Sequence, residues 1–254
     1  MRVLILQFRV VAALVLRETR MTFGTSQIGY LWAILQPAAT VAVMVILFSL
    51  IRRQPPFGSS LALFFATAIL TLEMYNKFSV SLMRGFTSNK ALLTYPMIRE
   101  TDTLMARTVL IISIFSIIYL LFYGALVGLG YAPLPAYPER ILAAFGATAF
   151  LGFGVGTINA VIYVHINAWQ HVEKVIARPL FFLSAVFYIP SNLPPQAITV
   201  IKWNPVLHLV EWVRTGYYPN YYSEILNVFY PLAIALVLTL IGLTAERFTR
   251  KKRF

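Results

Sequence analysis

The chain has 254 residues, 59% of them hydrophobic and only 12% charged, and its mean hydropathy is +0.75. Those values exclude an ordinary soluble globular domain. Cysteine is absent, which excludes disulfides and thiolate metal sites, and in so apolar a chain the net charge of +12 belongs to loops that set membrane orientation rather than to a nucleic-acid surface.

Residues 1–22 are apolar but interrupted by Arg2, Arg9, Arg17 and Arg20. At 3.6 residues per turn Arg2, Arg9 and Arg20 fall within about 20° of one another and Arg17 about 60° away, a basic stripe on an apolar rod. Such a helix lies in the membrane interface rather than across it. Arg9 breaks the apolar run a cleaved leader would need, and no small-x-small cleavage site follows. A polar link leads into 30–51, 22 residues without a charge, long enough to cross a bilayer at about 1.5 Å per residue. Tyr30 and Trp32 stand at its mouth, where headgroup-depth aromatics belong, and Arg52 and Arg53 close its far end.

Beyond Pro55-Pro56 a second span covers 61–83, apolar to Leu72 and then polar at Glu73, Asn76 and Lys77. A charged loop, 84–102, precedes a third span at 103–129, and Pro133 and Pro135 break the chain before a fourth at 141–164. A fifth crossing is expected over 175–189; its uncharged part, 179–189, is 11 residues and needs the preceding turn as a tilted extension. Residues 191–223, cut by Pro194-Pro195, Pro205 and Pro219, read as a re-entrant or interfacial hairpin. A last span covers 225–245.

Six spans put both ends on one side. Fifteen lysines and arginines then fall on that side and five on the other, with Lys77 inside a span, so both termini are expected in the cytoplasm. The expected fold is an all-α integral membrane protein: a cytoplasmic amphipathic interface helix and link over 1–28, six transmembrane helices within 29–245, and a basic cytoplasmic tail over 246–254.

No G-x-x-x-x-G-K-[ST] phosphate loop occurs, so the chain has no nucleotide site of that kind. Gly152-Phe153-Gly154-Val155-Gly156 lies inside a span, and the spacing of Gly152 and Gly156 is that of close helix contacts rather than of a phosphate cradle. His165 and His171, six residues apart and off one helical face, read as loop histidines rather than metal ligands beside Glu173, and no catalytic acid–base arrangement stands out.

Glu73, Asn76, Lys77 and Arg84 share one face of the second span. Either Glu73 and Lys77 neutralise each other one turn apart, or the face lines a translocation path in which Lys77 and Arg84 suit an anionic cargo. Trp32, Gln36 and Thr40 share a face of the first span beside Pro37, which removes a backbone hydrogen bond; that face meets another helix or the path. In the 84–102 loop, Ser88 is a candidate N-cap and Pro96 a stop for a short helix. With Leu92, Leu93 and Tyr95 exposed it would be a docking knob; otherwise it only joins two spans.

Arg20-x-x-Phe23-Gly24-x-x-x-x-Gly29-Tyr30-Leu31-Trp32-x-x-Leu35-x-Pro37 resembles the entry to the first span of type-2 ABC exporter permeases, particularly those for capsular polysaccharide. Asp102-Thr103-Leu104-x-Ala106-Arg107 is similar to the start of that family's third span. Trp203-Asn204-Pro205-Val206-x-His208-Leu209-Val210-Glu211-x-x-Arg214 resembles its segment before the last span. The resemblance implies a homodimeric permease in the bacterial inner membrane, paired with two separate ATP-binding-cassette subunits that use ATP and Mg; this chain itself would bind no cofactor. It implies contact with the ATPase through the N-terminal helix (Arg9, Arg17, Arg20, Phe23) and the loop between spans two and three (Lys90, Leu92, Leu93, Tyr95, Arg99). A canal would take in Tyr30, Trp32, Gln36, Glu73, Lys77 and Arg84. The cargo would be a lipid-linked polysaccharide, handed to a periplasmic co-polymerase and an outer-membrane export protein. Two other readings stand beside this one: a permease of the same class for O-antigen, teichoic acid or a small drug, and an ATPase-independent channel, carrier or scaffold.

Overall fold

The five longest apolar runs each form a helix, and turn chemistry separates them. The structure, a computed structural model, describes residues 2–24, 27–94 and 98–250, leaving aside the side chains of 2–6, 8, 23, 27–30, 249 and 250. Helix α1 spans Arg2–Phe23 and ends at Gly24, whose φ of +67° and N–H donated to the Arg20 carbonyl (2.8 Å) make a left-handed cap that glycine adopts without strain. Helix α2 (Gln27–Leu50) runs unbroken through Pro37. Helix α3 (Leu61–Met83) starts at Ser60, whose Oγ accepts from Leu63 N–H at 3.3 Å. Helix α4 spans Glu100–Gly128 and helix α5 Pro138–His165, the latter opened by a proline where no donor is needed. Then come α6 (Trp169–Leu183), a 3₁₀ turn at Pro190–Asn192, α7 (Pro195–Ile201), α8 (Pro205–Tyr217) and α9 (Phe229–Arg250).

Five of these helices, α2, α3, α4, α5 and α9, are long and apolar enough to cross a membrane. The expected fifth crossing over 175–189 is not one helix. Helix α6 begins earlier, at Trp169, and stops at Leu183, and its 15 residues rise roughly 22 Å, short of a hydrocarbon core of roughly 30 Å. Ala185 then takes a φ of +58°, which turns the chain, and Asn204 Nδ2 holds the turn through Ser184 Oγ (2.9 Å).

Helix α5 is the centre of the packing, and its glycines explain why. A Cβ on Gly152 would stand 2.6 Å from Phe78 Cβ, and one on Gly156 would stand 2.8 Å from the Phe78 carbonyl, so α3 packs at backbone distance. Gly154 accommodates α9 in the same way, 2.9 Å from the Ala235 carbonyl. The small-residue spacing therefore serves helix contact, as expected. These pairs also give direction: α3, α5 and α9 run the same way, because later residues on one meet later residues on the next. Helix α2 runs opposite to α3, with Phe48 beside Phe65 and Thr40 beside Glu73, and so does α4, with Arg107 by Ser81 and Tyr119 by Thr71. The ends of α3, α5 and α9 and the starts of α2 and α4 thus gather at one face, the foot of the molecule, where α1 also sits.

Candidate functional site

At the foot, α1 is fastened to the loop after α3 and to the start of α4. Glu18 is the centre of this cluster and is only 5% exposed. Its Oε1 accepts from Asn89 Nδ2 at 2.7 Å and from Arg107 Nη2 at 3.4 Å, and its Oε2 lies 3.1 Å from Arg107 Nε as an ion pair. Arg107 also donates to Ser88 Oγ at 2.6 Å and to the Ser81 carbonyl at the end of α3. Arg17 donates to Asn89 Oδ1, and Gln7 donates to Asp102 Oδ1. Asp102 Oδ2 in turn accepts the Arg99 N–H at 2.8 Å and opens α4. Glu18 and Arg107 are paired with each other and further hydrogen-bonded, and the buried Asp102 carboxylate accepts from Gln7 and the Arg99 N–H, the conditions under which buried charges are tolerated.

The basic stripe divides accordingly. Arg9 and Arg20 are exposed, and Arg17, offset on the helical wheel, turns inward to Asn89. The loop at 84–94 does not form the helix expected from Ser88. It is a run of turns, because Ser88 Oγ donates to the Arg84 carbonyl and Asn89 Nδ2 to the Gly85 carbonyl (2.9 Å), competing with a regular ladder. Lys90 and Arg99 are exposed, but Leu92 and Leu93 are half-buried rather than projecting, and Leu93 packs against the main core. Lys90 and Leu93 line a cavity of about 390 Å³ with Phe86, Thr87, Thr94, Glu100 and Val164. Tyr95 and the side chain of Phe23 lie outside the described residues.

Higher along α3, the structure brings Gln36, Glu73, Asn76 and Lys77 around one cavity of about 340 Å³, walled on its apolar side by Ile114, Phe115 and Ile118 of α4. Thr40 Oγ1 reaches both the Gln36 carbonyl (3.1 Å) and Glu73 Oε1 (3.2 Å) and can donate to one at a time. Glu73 and Lys77, one turn apart, attract each other without closing a direct ion pair, and Lys77 lines the cavity from an exposed position. Gln36 also borders a second groove of about 420 Å³ with Trp32, Leu35 and Val43, so the aromatic and amide positions of α2 form one continuous surface. Arg84 is exposed at the end of α3 and does not line either cavity. The side chain of Tyr30 lies outside the described residues.

Two buried polar clusters carry residues that sequence reasoning did not select. Trp169 Nε1 donates to Asn159 Oδ1 (2.9 Å), Asn159 Nδ2 to Ser79 Oγ (2.8 Å), and Ser79 to Glu173 Oε1 (2.9 Å), which ties α6 to α5 and α3. At the opposite end, Arg214 donates to Glu211 Oε1 (3.2 Å), the Tyr188 carbonyl (3.2 Å) and the Ala185 carbonyl (2.7 Å), while Tyr221 donates to the Glu211 carboxylate at 2.9 Å. This pair holds the strained turn at Ala185. Nearby, burial holds His208 below its ordinary value; its Nε2–H donates to the Lys202 carbonyl (2.8 Å) and its Nδ1 accepts from Asn227 N–H (3.2 Å).

Five helices of membrane-crossing length, a polar face along two of them and an N-terminal helix clasped to one end define an all-helical membrane protein. The chain belongs to the ABC-2 type transporter family, whose model matches residues 9–218. It is 29% identical over 238 residues to the polysialic acid transport protein KpsM of Escherichia coli, covering 93% of this chain and 92% of that protein. It is 29% identical over 248 residues to the capsule polysaccharide export inner-membrane protein CtrC of Neisseria meningitidis serogroup A, covering 97% and 94%. It is 26% identical over 240 residues to the capsule polysaccharide export inner-membrane protein BexB of Haemophilus influenzae, covering 94% and 91%.

Proposed function

We propose that this chain is the transmembrane permease subunit of an ATP-driven exporter that carries lipid-anchored capsular polysaccharide across the bacterial inner membrane. The observation that carries the reading is likeness along nearly the whole chain to permeases named for capsule export, in chains of almost the same length. The polar cavity at Gln36, Glu73 and Lys77 supports it, because a cation and amides beside an apolar wall suit an acidic glycan. Two copies would form the canal between them, with both termini in the cytoplasm. Two separate ATP-binding-cassette subunits would dock at the foot, on the exposed Arg9, Arg20, Lys90 and Arg99, and would supply ATP and Mg chemistry. Periplasmic and outer-membrane export proteins would continue the path.

Deleting the gene tests the reading. Finished capsule should accumulate inside the cell, and normal surface capsule would overturn it. Co-purification of the permease with a Walker-type ATPase should accompany it, and transport by the purified chain without one would favour a channel or carrier instead.

A further inference from the structure

We infer that Arg107 is the positioning residue through which movement at the foot is delivered to α3 and α4, and that α2 receives it only secondarily. The inference rests on the reading that an ATPase docks at α1 and at the 84–94 loop. One guanidinium joins all the elements concerned: Glu18 of α1 at 3.1 Å, Ser88 of the loop at 2.6 Å, and the Ser81 carbonyl of α3, from a backbone that is itself part of α4. Asn89 closes the ring by bonding Glu18 (2.7 Å) and accepting from Arg17. Among the described residues, every polar contact that α1 makes with another element runs to the loop or to α4. Among the described residues α1 also packs near the start of α2, but without a hydrogen bond or ion pair, and it ends at the left-handed cap of Gly24. The two surfaces expected to meet the ATPase are therefore one body, and its buried attachment is to the third and second spans.

Lysine cannot replace this arginine, because an ammonium has no planar fork to hold three partners set at fixed angles. Arg107→Lys keeps the charge and loses the geometry, whereas Glu18→Gln keeps the shape and loses the charge.

Both variants are made in the permease–ATPase complex, and capsule export and ATP hydrolysis are measured together. Because the chain has no cysteine, spin labels are placed at exposed positions on α1 (Leu16→Cys), α4 (Met105→Cys) and α2 (Val43→Cys). The expected result is a complex that assembles and hydrolyses ATP at the wild-type rate while exporting about 5-fold less or lower, the low end of coupling between linked sites. In wild type the α1–α4 distance should stay narrow through the nucleotide cycle while the α1–α2 distance changes. Unchanged export per ATP in both single variants overturns the inference, as does an α1–α4 distance that shifts with nucleotide. If wild-type permease fails to bind the ATPase, the docking reading falls. The junction is then judged on the permease alone, where Arg107→Lys must broaden the α1–α4 distance and an unbroadened distance rejects it.

Discussion

The guanidinium of Arg214 lies 4.1 Å from the centroid of the Phe64 ring, and neither side chain is exposed to solvent. The ring of α3 covers one face of the cation, Glu211 and two carbonyls take its edge, and the α8 segment is thereby fixed to α3 and to the turn after α6. Truncation leaves Glu211 as an uncompensated buried charge. Arg214→Ala should therefore lower stability by about 3 kcal/mol or more, read as a fall in thermal midpoint in detergent. A variant that melts with wild type would show the pair to be dispensable.

The glycines of α5 separate packing from propensity. Gly156→Ala places a Cβ 2.8 Å from a backbone carbonyl of α3, which cannot swing away, whereas Gly146→Ala meets nothing within 4 Å. The first should destabilise by about 1 to 3 kcal/mol and the second should be neutral or slightly stabilising. Thermal midpoints of the two variants side by side decide it; equal effects would contradict the packing.

Charge reversal at Lys77 addresses the cavity rather than the fold. Lys77 is exposed and closes no direct ion pair with Glu73, so Lys77→Glu should leave membrane insertion unchanged. Export of an acidic glycan should fall about 5-fold or more, as the loss of about 1 kcal/mol of attraction gives. An unaltered export rate, measured as surface capsule per cell, would remove Lys77 from the path.

His208 gives a pH dependence. Its ring is neutral in the fold, with Nδ1 accepting from Asn227, so a second proton would remove an acceptor in a buried setting. Its folded value lies below the ordinary 6.5, so the stability it contributes is complete above that value and is lost as pH falls below it. The thermal midpoint of wild type should drop between about pH 7.5 and about pH 5.5 more steeply than that of His208→Gln. Parallel slopes would assign the dependence elsewhere.

Uncharged length carried most of the fold in the primary structure. The spans at 30–51, 61–83, 103–129, 141–164 and 225–245 correspond to α2, α3, α4, α5 and α9 because lipid-length apolar runs have few alternatives to a helix. Helix α6 was misplaced because its bounds depend on Ala185 and Asn204, which act through tertiary bonds to the turn. The foot cluster was hidden for the same reason. Glu18 and Arg107 are 89 residues apart, and nothing local distinguishes a paired glutamate from a solvated one, although Glu18 does stand across the helix from the arginine stripe. Gln36, Glu73 and Lys77 were legible as intramembrane polar groups, and Arg84 was not separable from them because helical phase alone says nothing of depth.

The disparity between α2 and α3 has an evolutionary corollary. Only 11% of the apolar window of α2 is buried within the subunit, against 67% for α3. Under random substitution with selection for export, α3 should accept few replacements, and those conservative in volume. Beyond its entry at 29–37, helix α2 should drift freely among apolar residues, except where Thr40 meets Glu73. Diversification of this lineage should thus be written on its first span and be nearly silent on its second.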